Sequence, residues 1–139
     1  MKKRITVLAL LSIFLFAAVG AKETNNTKVV VYYFLTSYRC SSCYKIEQYT
    51  KESIERNFSN ELKSGEVVFK PTNIERKENQ HFVKDYQLYS KAVVLSLVNG
   101  GKEIKHKNLA KIWEYLGDKD RFQDYIKSET SQFVEEANK

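Results

Sequence analysis

The sequence predicts an α/β domain: a four-stranded mixed sheet with helices on both faces and an extra C-terminal helix. Three observations lead there. Residues 29–35 form an unbroken apolar run of Val, Tyr, Phe and Leu, which reads as a central strand covered on both sides. Immediately afterwards the period changes, and Cys43, Ile46, Tyr49/Thr50, Ile54 and Phe58 recur at helical spacing. Later, Asn99-Gly100-Gly101 separates a second β-rich run, 93–98, from residues 102–106, a strong hairpin signal.

Taken in order, residues 22–27 are a polar lead-in, 29–35 the first strand and 36–39 a short loop. The first helix starts at or beside Cys40, where Ser41 and Ser42 suit a helix start. Val67, Val68 and Phe69 begin a second strand that continues towards Asn73, and Pro71, the only proline, marks an edge or an irregularity. A helix is expected over residues 78–86, with Phe82, Val83 and Tyr86 on one side. After the hairpin, Asn108 suits the N-cap of a helix over 109–116 ended by Gly117, and Asp118 opens the last helix, striped by Phe122, Tyr125, Ile126, Phe133 and Val134. Trp113 and the tyrosines at helical spacing are expected in the core. A strand, crossover helix and parallel strand are thus followed by a helix and an antiparallel hairpin.

The 139 residues hold one domain, and the first 21 read as a signal peptide that precedes it. Lys2, Lys3 and Arg4 lead into an apolar run over 5–18, followed by small residues and a cleavage point after Gly20 or Ala21. Fourteen apolar residues fall short of the roughly 20 needed to span a bilayer, which argues against a retained anchor. Cleavage after Ala21 removes three positive charges and no negative ones, taking the net charge from +6 to +3 and leaving 22–139 as the domain. The remaining charge is mixed in sign with no like-charged block, so a solvated surface is expected and nucleic-acid binding is not. The expected location is periplasmic or secreted, with membrane contact only through the uncleaved signal peptide and a monomeric mature chain.

Two cysteines, spaced Cys40-x-x-Cys43, sit in a chain bound for a compartment where disulfides form. As a staple the pair is weak: closing four residues is worth about 2 kcal/mol, against about 3 for a 15-residue loop. Chemistry is the better use. Cys40 falls just after the central strand at the start of a helix, where unpaired N–H groups and the macrodipole stabilise a thiolate. Arg39 adds to that effect. Cys40 is therefore assigned as nucleophile and Cys43, one turn on and facing inward, as the resolving thiol. The expected activity is thiol–disulfide exchange with protein thiols and disulfides. The alternative is a dithiol that captures a soft metal or metalloid such as Cu(I) or arsenite, and a merely structural disulfide is a third possibility.

Cys-x-x-Cys at this strand-to-helix junction, within this element order, resembles the thioredoxin superfamily. More narrowly, Tyr32-Tyr33-Phe34, Arg39-Cys40-Ser41-Ser42-Cys43 and Ile46-Glu47, with 109–113 and 122–125, resemble a family of small exported bacterial thioredoxin-like proteins labelled as a nitrophenyl-compound nitroreductase subunit. The chain has no Gly-rich phosphate loop, so no flavin or nicotinamide cofactor is expected. The resemblance places Ala92 where the superfamily has a cis-proline that shapes the substrate groove and keeps metals off the dithiol. It also implies a buried carboxylate on the first strand, where this chain offers Val, Tyr, Tyr and Phe. Glu47, one turn past Cys43, is the nearest substitute for it, although a solvated helix-surface glutamate is the favoured reading. Tyr38 is a candidate either for the rim of the site or for a packing role. His81 and His106, far from the cysteines in sequence, are expected to be surface or satisfied histidines and not metal ligands.

Overall fold

The computed structural model describes residues 26–139, so the signal peptide expected over 1–21 lies outside the described residues. Four strands, β1 (Thr27–Leu35), β2 (Val67–Asn73), β3 (Ala92–Asn99) and β4 (Lys102–Asn108), form one sheet in the order β2-β1-β3-β4. β1 runs parallel to β2 and antiparallel to β3, and β3 runs antiparallel to β4. The sheet is therefore mixed, with one parallel and two antiparallel pairings.

Alternation along β1 sends Val29, Val31 and Tyr33 into one apolar cluster, while Phe34, with Tyr32 packed beside it, joins a second. On the first face, α1 (Ser41–Asn57) and α5 (Lys119–Ala137) bury Ile46, Ile54, Phe122, Ile126 and Phe133 against β1 and β3. On the second face the cover is α3 (His81–Asp85), held by Tyr32, Phe34, Phe82 and Tyr86, whose rings lie 5.1–6.2 Å apart. Both faces therefore carry helix, but unequally.

The edges are managed differently. Pro71 sits on β2, an edge strand, where its missing N–H costs no ladder bond to a neighbour beyond. β4, the other edge, is exposed along its whole length. Its Lys105 and Lys107 reach Glu136 and Glu129 of α5, each at 2.6 Å, and edge lysines of this kind oppose strand addition.

Four expectations need correction. The helix expected over 78–86 is a 3₁₀ turn, Lys77–Asn79, followed by the five-residue α3, because Phe82 and Tyr86 alone supply the apolar stripe and Val83 faces solvent. Gln87, at φ 51°, ends it. Asn108 does not cap a helix: it closes β4 opposite Val94, and the Leu109 N–H continues the pairing to the Val93 carbonyl at 2.8 Å. Only α4 (Ile112–Tyr115) remains of the helix expected over 109–116. Trp113, on that short helix, is 44% exposed and so is not core. A further helix, α2 (Ser59–Ser64), follows Phe58 and ends at Gly65, whose φ of 81° is the left-handed conformation glycine adopts freely. Asp118 caps α5 as expected, accepting from the Arg121 N–H at 3.1 Å.

Candidate functional site

Cys40 is the N-cap residue of α1, with extended backbone (φ −102°, ψ 169°), and it forms a disulfide with Cys43 across a Cα–Cα distance of 5.0 Å. Each sulfur takes a hydrogen bond from the other residue's backbone: Cys43 N–H donates to the Cys40 Sγ at 3.3 Å and Cys40 N–H to the Cys43 Sγ at 3.1 Å. This is the reciprocal geometry of a capping box, with sulfur standing where oxygen usually does. Two N–H groups that a helix start leaves unpaired therefore point at the two sulfurs. The first turn carries no acidic side chain, so no carboxylate competes with a thiolate for the positive end of the helix.

The two thiols differ in access. Cys40 is half-buried, and Cys43 is fully buried. Beneath Cys43, the Tyr33 hydroxyl donates to its carbonyl at 2.8 Å. Tyr33 is itself fully buried. Burial pushes its phenol up to about 12, Arg39 opposing and Glu47 reinforcing that shift, so Tyr33 stays a neutral donor near pH 7 and is no proton acceptor. The side chain that β1 sends beneath Cys43 is thus an aromatic hydroxyl group bonded to the helix turn.

Arg39 and Glu47 are brought together as a hydrogen-bonded ion pair, their side chains 23% and 28% exposed. Glu47 is therefore not the solvated surface glutamate favoured from sequence. The Arg39 guanidinium also lies over the Tyr44 ring, 4.5 Å from its centroid. The loop before Cys40 is tied to two others. Ser37 N–H donates to Glu75 at 2.8 Å, Asn73 donates to the Ser37 hydroxyl at 3.1 Å, and the Lys91 ammonium sits 6.0 Å from the Tyr38 ring centroid. The bonds from Ser37 hold the Glu75 carboxyl below the usual carboxylate range. Tyr38 is 75% exposed at this rim. Ala92 is buried opposite Phe34 at the start of β3, directly after Lys91.

Sequence reasoning missed Tyr33 and Glu75. Tyr33 carried a usable signal: a tyrosine on the inward register of Val29 and Val31, near the strand's end, must place its O–H somewhere polar, and a helix N-terminus is next in the chain. Glu75 had none, since its role depends on how two loops meet. The histidines pair elsewhere, His81 with Asp85 at 2.8 Å and His106 with Glu103 at 3.0 Å, all on the surface. Among the described residues no group of three or more His, Cys, Asp and Glu is placed to hold a metal ion. A cavity of about 650 Å³ lies on the α3 face over Val30 and Val68, on the opposite side of the sheet from α1.

No protein-family model matches the chain, and no curated protein matches it. Among solved structures, it is similar to the thioredoxin of Fasciola hepatica, with 18% identity over 67% of this chain and 82% of that one, at a TM-score of 0.38. A malarial protein is similar at 12% identity over 58% of this chain and 80% of that one, with the same TM-score of 0.38.

Proposed function

We propose that this chain is an exported thiol–disulfide oxidoreductase working through the Cys40–Cys43 couple. One observation carries the reading: the disulfide joins the half-buried N-cap of α1 to a fully buried residue one turn inside it, with helix N–H groups aimed at both sulfurs. In the reduced protein the Cys40 thiol loses its proton and the thiolate attacks a sulfur of the partner's disulfide, which expels one partner thiolate and leaves a mixed disulfide. Cys43, as thiolate, then attacks the Cys40 Sγ, which closes the internal disulfide and expels the second partner thiolate. Two electrons pass from the dithiol to the partner, and the reverse sequence oxidises a partner dithiol.

Protein thiols and disulfides are the proposed partners, met outside the cytoplasm once the segment 1–21 is removed. Mass spectrometry of exported protein is expected to find a mature N-terminus at Ala21 or Lys22, and a retained Met1 would contradict export. Within the thioredoxin-like class, the motif around Cys40 and Ile46-Glu47 supports a place in the small exported family labelled as a nitroreductase subunit, with thiol exchange as its activity. Redox titration against dithiothreitol buffers, with exchange assayed on a protein disulfide, tests the central reading. A reversible two-electron couple that reduces or oxidises the protein substrate is expected. A chain inert in exchange whose reduced form instead binds Cu(I) tightly would overturn it in favour of metal capture.

A further inference from the structure

Arg39 and Glu47 form a partly buried ion pair between the residue before the N-cap of α1 and the second turn of that helix. Arg39 immediately precedes Cys40, and Glu47 lies four residues beyond Cys43, hence on the same side of the helix as that thiol. Both side chains bear on the buried Tyr33 hydroxyl, in opposite senses, and that hydroxyl is bonded to the Cys43 carbonyl. The guanidinium belongs to the residue next to Cys40, yet its charge is engaged by the glutamate and its flat face by Tyr44. Its Nε is buried and has no hydrogen-bond partner among the described residues.

We propose that Glu47 is a positioning residue that sets the acidity of the Cys40 thiol by holding the Arg39 guanidinium away from it. This rests on the thiol–disulfide reading of the site. In the disulfide there is no thiolate, and the two charges satisfy each other. When the reduced Cys40 releases its proton to solvent, Arg39 faces two anions and remains with the carboxylate. The thiolate then depends on the Cys43 N–H and the helix terminus, and is more basic than an unrestrained arginine would make it. The remaining charges at this rim are engaged elsewhere: Glu75 with Ser37, and Lys91 above Tyr38.

The test is a cycle of four reduced full-length proteins: wild type, Glu47→Gln, Arg39→Ala and the double variant. The pH dependence of iodoacetamide alkylation at Cys40, read by peptide mass spectrometry, reports the thiol pKa in each. Glu47→Gln is expected to lower it by about half a pH unit for a partly exposed pair, and Arg39→Ala to move it much less, because the carboxylate already engages the guanidinium. In the Arg39→Ala background, Glu47→Gln is expected to do nothing further, because its effect runs through the arginine. An equal drop in both backgrounds would show that the carboxylate acts directly, and no drop in either would remove it from the site; each overturns the proposal. The readout does not use exchange, so a protein inert towards disulfides would sink the activity and still report this pKa.

Discussion

At the rim of the molecule Cys40 caps α1 half-exposed, with Tyr38, Arg39 and Tyr44 around it, whereas one turn inward Cys43 is fully buried above the Tyr33 hydroxyl. Three residues of sequence separate two environments of opposite effect. The Cys43 N–H and the helix N-terminus favour the charged form of the outer sulfur, while burial favours the neutral form of the inner one. In the proposed exchange activity this difference divides a nucleophile from a resolving thiol, and it comes from the place where β1 hands over to α1.

The largest effects should come from removing the sulfurs themselves. Cys40→Ser is expected to abolish disulfide transfer, and Cys43→Ser to leave covalent mixed disulfides with partner proteins on a non-reducing gel. If both variants merely slowed exchange equally, the two environments would not correspond to two roles. Next in size is the core behind the inner thiol. Ile46→Ala, at a fully buried position one turn beyond Cys43, should cost about 2–5 kcal/mol in urea unfolding while leaving the alkylation profile of Cys40 in place. A changed profile would mean that rim and core are not separable.

Tyr33→Phe probes the joint between them. It removes the hydroxyl bonded to the Cys43 carbonyl and should cost about 1 kcal/mol. It should also change the alkaline limb of stability. The Tyr33 pKa is raised in the fold from 10.0 to about 12, so folding favours the protonated phenol. The contribution is complete below about pH 10 and is lost as pH rises towards 12. Unfolding followed across that window should fall less steeply in Tyr33→Phe than in the wild type. The smallest effect expected is Lys91→Ala, which removes a cation 6.0 Å from the exposed Tyr38 ring and should shift stability by a few tenths of a kcal/mol.

Much of this was legible in the sequence where a local rule and the tertiary fold agree. The run from Val29, the hairpin at Asn99-Gly100 and the helical period from Cys43 each state their element twice, in composition and in period, and the strand-to-helix junction then locates the cysteines. The expectations that failed are those set by long-range contact. Asn108 has the chemistry of an N-cap, but a strand partner, Val94, claims it first. The 78–86 pattern has helical spacing, yet too few apolar residues to make more than five helical ones. Trp113 is apolar by composition but sits on a helix of four residues that buries Ile112. At the site, Arg39 and Glu47 were each visible as candidates, while their pairing required the helix to exist first.

The most direct measurement is the order of alkylation in the reduced protein near neutral pH. A limiting amount of iodoacetamide is added, the remaining thiol is blocked with a second reagent, and the peptides are weighed. The account predicts that Cys40 is modified first, with a pKa below the usual value of about 8.5, and that Cys43 is protected. Faster modification of Cys43 would contradict it, because the buried residue would then be the thiolate and the helix N-cap would not be the seat of the chemistry.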